Sequence, residues 1–196
     1  MRALVWAGVA VALVLPLAVA ATSPLLQWRS PVYIAAGFAG VLGLAVIFMQ
    51  PLLAAGALPG LPAWRGRRVH QWTGAALVAL VVAHVVGLWV TSPPDVVDAL
   101  LLRSPTPFSP WGVLSMWAIF AAGVLALLRN RLRPRGWRRA HVVLTSVIVA
   151  STVTHALLIE GTMGAVSKWA LCIAVVAVTL KAFSDLRVWR LMKPRR

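Results

Sequence analysis

The chain is short of the groups that do polar chemistry. Its 196 residues include one cysteine, Cys172, which excludes an internal disulfide, a Cys-rich metal site and the C-x-x-C-H attachment of a covalently held heme. There are four acidic residues, Asp95, Asp98, Glu160 and Asp185, all in connecting segments or at the ends of apolar runs. A carboxylate-based proton relay inside those runs is thereby disfavoured. Charged residues make up 12% of the chain against 61% hydrophobic ones, with mean hydropathy +0.87. A water-soluble fold is excluded by that balance.

What the chain has is long apolar runs. A membrane-spanning helix needs about 20 mostly apolar residues, and six stretches qualify, near 1–21, 32–57, 69–91, 111–129, 140–159 and 164–186. A bilayer core satisfies no open strand edge. The expected fold is therefore an all-α integral membrane protein, a single six-helix transmembrane bundle over residues 1–196. Cys172 falls in mid-segment and reads as a small packing residue.

The net charge of +15 raises the question of nucleic acid, but its placement answers against it. Sixteen of the nineteen Lys and Arg residues flank one side of these segments; Arg29, Arg103 and Lys168 flank the other, with Asp95, Asp98 and Glu160. That is the positive-inside pattern. The expected partner of the basic residues is membrane lipid, and the expected location a bacterial inner membrane with both termini cytoplasmic.

The first run ends in Ala18-Val19-Ala20, which also resembles a signal-peptide cleavage site; its length favours a retained spanning helix. The second holds Gly37, Gly40 and Gly43, a small-residue stripe read as ordinary helix packing. Leu61–Arg68 is expected as a cytoplasmic loop and Ser92–Pro110 as an outer connection containing one short helical run, Asp95–Leu102. Trp28, Trp64, Trp89, Trp111, Trp137, Trp169 and Trp189 fall near segment ends and read as interfacial anchors. Trp72 and Trp117 lie deeper and read as packing residues.

The four histidines are the most informative residues. His70 and His84 lie fourteen residues apart in the third run, and His141 and His155 lie fourteen apart in the fifth. Fourteen helical residues rise about 21 Å and return to within roughly 40° of the same face. One span intervenes, so the two helices run parallel. His70 then pairs with His141 near the cytoplasmic surface and His84 with His155 near the outer one. A separation of that size excludes a zinc site shared by both histidines of one helix. It suits axial ligation of two stacked hemes, held non-covalently as heme b. Arg67, Arg68, Arg138 and Arg139 precede the inner pair and are candidates for propionate contacts. Thr73, Thr145, Ser151 and Thr152 are candidates for local carbonyl bonds or cofactor edges.

Two patterns carry a family resemblance. Arg68-Val-His70-Gln-Trp-Thr-Gly74 with His84 resembles the third helix of the ferric reductase-like transmembrane domain family, and Trp137-Arg-Arg-Ala-His141 with His155 resembles its fifth. That family includes the membrane domains of ferric reductases and NADPH oxidases and the heme-binding membrane subunit of a bacterial periplasmic methionine sulfoxide reductase system. The resemblance runs from about Val32 to Leu186. It implies a six-helix bundle with two b-type hemes and matches His70, His84, His141 and His155 to the ligand positions. The FAD and NAD(P)H domain of the ferric reductases has no counterpart here, and no Rossmann fingerprint is present. A separate electron donor (flavoprotein, free flavin or quinol) and a periplasmic acceptor of unknown identity are expected. The His70-Gln-Trp-Thr-Gly74 run departs from the sulfoxide-reductase subunit.

The expected function is transmembrane electron transfer as the heme-bearing component of an oxidoreductase. Two other readings stay open. One is a cytochrome b-type quinol-oxidising subunit, for which Glu160 is the sole carboxylate near the outer pair. The other is a heme-free structural or transport subunit.

Overall fold

A computed structural model describes residues 1–192. Among them there are no strands, and six helices are long and apolar enough to cross a membrane. These are α1 (Arg2–Ala21), α2 (Pro31–Ala55), α3 (Ala63–Thr91), and, after a short α4 (Pro93–Leu100), α5 (Ser109–Leu127), α6 (Pro134–Leu158) and α7 (Ala165–Asp185); a one-turn α8 (Trp189–Met192) follows. The protein is a multi-pass membrane protein.

Local chemistry sets the helix ends. Pro31, Pro93 and Pro134 stand at first-turn positions, where the missing N–H costs nothing. The Ser30 hydroxyl accepts the Tyr33 N–H at 3.2 Å, and Gly56, at φ 66°, closes α2 in the left-handed conformation. Lys168 Nζ donates to the carbonyls of Leu157 (3.2 Å) and Ile159 (2.7 Å), covering acceptors that the end of α6 leaves open.

Two boundaries differ from the expectation. Residues 61–68 are not a loop: α3 begins at Ala63, so Arg65, Arg67 and Arg68 ride on its first turns. Likewise α6 begins at Pro134 and carries Arg135, Arg138 and Arg139. Hydropathy marks where a segment leaves the hydrocarbon, whereas the backbone continues as helix into the interface until a proline sets its start.

The bundle is organised as two antiparallel hairpins, α2–α3 and α5–α6, with α1 and α7 packed beside them. The most buried span is α2, with 44% of its apolar window inside the protein against 6% for α3. It packs along α3 on one side and against α7 and α1 on others, while α5 packs along α6. The two histidine-bearing helices, α3 and α6, make at most grazing backbone contact with each other. Small residues let the first hairpin close. A Cβ on Gly87 would lie 2.7 Å from the Ala36 Cβ, and one on Gly66 would lie 3.0 Å from the Leu53 carbonyl oxygen. Cys172 is buried at 1% exposure on α7. Trp72 and Trp117 are 73% and 59% exposed, so neither packs in the core as expected; both belong to faces that the helices turn outward.

The Gly87–Ala36 approach is a methyl-sized constraint that neither backbone can evade by a rotamer change. Substituting G87A should cost about 1–3 kcal/mol through overpacking, read as a lower thermal midpoint in detergent. The double substitution A36G/G87A moves the methyl across the contact and should restore most of the loss.

Candidate functional site

The site is built by the second helix of each hairpin and seated by the first. His84 Nδ1 lies 2.7 Å from the carbonyl oxygen of Ala36, and His70 Nδ1 lies 3.2 Å from that of Gln50, both on α2. His155 Nδ1 lies 2.9 Å from the carbonyl oxygen of Phe108, just ahead of α5. A carbonyl only accepts, so each of these three rings carries its proton on Nδ1 and leaves Nε2 as a lone-pair donor. That is the tautomer a metal ligand needs, with the outer partner holding the ring in place.

Glycine makes room for two of these rings. A Cβ on Gly40 would come within 3.0 Å of the His84 Cε1 and Nδ1, and one on Gly112 within 2.7 Å of the His155 Nδ1. Each glycine stands four residues after the residue that supplies the carbonyl, Ala36 or Phe108. One helical turn thus offers an acceptor and, one step on, a notch for the ring. The glycine stripe of α2 therefore does more than bundle packing at Gly40. Gly37, by contrast, faces open space.

His141 is held differently. Its ring stacks on that of Trp137, with centroids 5.2 Å apart and planes 8° apart, and its Nδ1 is buried without a hydrogen-bond partner. Trp137 is thus part of the site and not merely an interfacial anchor.

The structure brings one histidine of each helix together, His70 of α3 and His141 of α6. His70 and His141 have ring centroids 6.1 Å apart and planes 77° apart. His84 and His155 stand fourteen residues along α3 and α6 from that pair. With metal–imidazole nitrogen bonds of about 2.0–2.1 Å, two rings on opposite sides of one ion have centroids roughly 6 Å apart, which the inner pair meets. Among the described residues, no group of three or more His, Cys, Asp or Glu comes together as a metal cage. The donor set in each layer is two neutral imidazoles. An ion held only by protein wants three or four ligands, whereas heme iron, already held by four porphyrin nitrogens, asks the protein for two. The residues present fit a heme.

The remaining candidates sort by their surroundings. Arg67, Arg68 and Arg138 are exposed near the inner layer. Arg139 is half-buried, and its Nε donates to the Leu191 carbonyl at 2.5 Å, tying α6 to α8. Thr73, Thr145 and Ser151 donate to carbonyls on their own helices, those of Val69, His141 and Val147. Thr73 also accepts from the Gln50 side chain at 2.9 Å. Thr152 and Ser115 join α6 to α5 through a 2.5 Å hydroxyl pair. Glu160 is exposed in the connection between α6 and α7.

Six spanning helices with imidazoles paired in the interior describe a membrane redox component, a class in which polar rings inside the bilayer are kept for a cofactor. The chain belongs to the ferric reductase-like transmembrane family: the model of the ferric reductase like transmembrane component matches residues 36–152. Domains of this family serve transmembrane electron transfer and generally bind heme. The matched region runs from the residue that seats His84 through His141, and His155 follows three residues beyond it. No curated protein and no solved structure matches the chain.

The seats themselves are testable. In G112A the new methyl should displace His155 from the Phe108 carbonyl and cost about 1–3 kcal/mol, seen as a lower unfolding midpoint in detergent. G37A adds the same methyl where nothing lies within 4 Å and should change stability by no more than about 0.5 kcal/mol.

Proposed function

We propose that this protein is a diheme b-type cytochrome that carries electrons from a cytoplasmic donor across a bacterial inner membrane to a periplasmic acceptor. The observation that carries the reading is the approach of the His70 and His141 rings to 6.1 Å, with three of the four imidazoles holding Nδ1 on a main-chain carbonyl. His70 and His141 would hold the inner heme and His84 and His155 the outer one. Arg67, Arg68 and Arg138 are available to inner propionates. When bound, heme with two imidazole ligands supplies one-electron ferric–ferrous chemistry with no open iron position.

The chain's own residues then do two things. The carbonyls of Ala36, Gln50 and Phe108 fix ring orientation, so little rearrangement accompanies a change of charge at the metal. The fourteen-residue spacing sets the layers about 21 Å apart along the helices, which places one near each membrane surface. With the positive-inside pattern, the inner layer lies beside Arg129–Arg139 on the cytoplasmic side. That cluster favours an acidic donor by charge complementarity, and a separate flavoprotein is the donor we favour over quinol. The exposed position of Glu160 gives the quinol-oxidising alternative no buried carboxylate to work with.

Cofactor content and pairing test the reading directly. Purified protein made with ample heme should contain about two hemes b per chain, both six-coordinate and low-spin. H84A and H155A should each remove one spectral component, and H70A and H141A the other. A heme-replete preparation without a Soret band refutes the cytochrome assignment, and joint loss of one component in H70A and H155A refutes the pairing. The donor is tested separately. Dithionite should reduce both hemes, whereas NADPH alone should reduce neither until a flavin reductase with its flavin is added.

A further inference from the structure

The four rings are not held alike, and the exception falls in the inner layer. On α2 the two accepting carbonyls, Ala36 and Gln50, stand fourteen residues apart, matching the two histidines of α3. The second hairpin has the same antiparallel register, with Phe108 serving His155. Fourteen residues beyond Phe108 is Ala122, the position on α5 from which a carbonyl would serve His141 by that register. His141 does not use it: its Nδ1 has no partner at all. Instead the ring lies flat against Trp137, one turn earlier on α6. Trp137 is itself fixed. Its Nε1–H donates to the Leu125 carbonyl at 2.9 Å, and the Arg129 guanidinium sits over the ring at 5.5 Å.

We propose that Trp137 is the positioning residue of His141, setting the plane of this imidazole by stacking where a carbonyl sets the other three. The inference rests on the diheme reading above and adds two consequences to it. The first is geometric. Stacking on Trp137 holds the His141 ring 77° from that of His70. Nearly perpendicular axial rings leave the iron d orbitals close to degenerate, which gives a strongly anisotropic low-spin ferric resonance. The second is electronic. A carbonyl partner on Nδ1–H makes an imidazole a stronger donor and favours ferric iron. Both outer ligands have that partner, but only one inner ligand does, so this contribution favours reduction at the inner layer.

The test uses the heme-loaded full-length protein, with the inner component identified as the one missing in H70A. W137F keeps an aromatic face but gives up the bond to Leu125, and W137L removes the stack. In W137L the inner component's low-field resonance should move toward the ordinary rhombic position and its midpoint potential should shift. The outer component should stay as in the parent, and W137F should stay close to the parent in both. Loss of the inner heme in W137L with retention in W137F also supports the stack. Parent-like spectra and potentials in W137L, or equal changes or equal heme loss in the two variants, overturn the inference while leaving the diheme reading intact. Absence of heme from the parent protein overturns the diheme reading instead.

Discussion

The constraint on which this structure turns is the cost of an imidazole inside a bilayer without a hydrogen-bond partner, a cost that three of the four rings avoid. A polar group left unsatisfied in hydrocarbon costs several kcal/mol, and the hydroxyls of Thr73, Thr145 and Ser151 are themselves bonded to carbonyls of their own helices. The chain meets the need with main-chain carbonyls that are already committed to helical bonds but retain a second lone pair. Reaching such a carbonyl requires the ring to lie against the neighbouring helix. Glycine at Gly40 and Gly112 permits that approach. Main-chain carbonyls thus supply the polar partners of three rings.

From this follows the architecture. Each histidine helix is paired with the helix before it in sequence, so α2–α3 and α5–α6 are two versions of one unit, oriented the same way across the membrane. Their registers agree: a carbonyl–glycine turn near one end of the first helix faces the far histidine of the second. In the first unit the whole pattern is complete, with Gln50 serving His70 and also bonding Thr73 through its side chain. The second unit departs from it at His141, where Trp137 stands in.

The sequence made the six spans and the histidine spacing legible because each depends on a short periodic pattern of side chains. It did not reveal the seats of the rings. The acceptors at Ala36, Gln50 and Phe108 are backbone atoms, and any residue type carries the same carbonyl; only the helix register decides which one is reached. Gly40 had a visible signal, its place in a glycine stripe, but packing and ring seating leave the same trace in a single sequence. Gly112 stands alone beside Trp111 and gave no sign. Trp137 was legible as an aromatic near a membrane surface, a description that fits an interfacial anchor equally well. Its distance of four residues from His141 was the discriminating feature, since side chains so spaced meet on a helix. The starts of α3 and α6 were blurred because arginine ends a hydropathy window without ending a helix.

The weak contact between α3 and α6 acquires a meaning in this light. Cohesion of the bundle runs through α2, which packs on α3, α7 and α1, and through α7, which reaches α6. The histidine-bearing helices are therefore positioned mainly by other elements. Three of the four imidazoles are also oriented within their own hairpin before the hairpins meet. A flat cofactor bound between such helices finds rings whose rotamers are already fixed, which lowers the ordering entropy that binding must overcome. His141 instead stacks on Trp137 of its own helix and meets the edge of the His70 ring from α3.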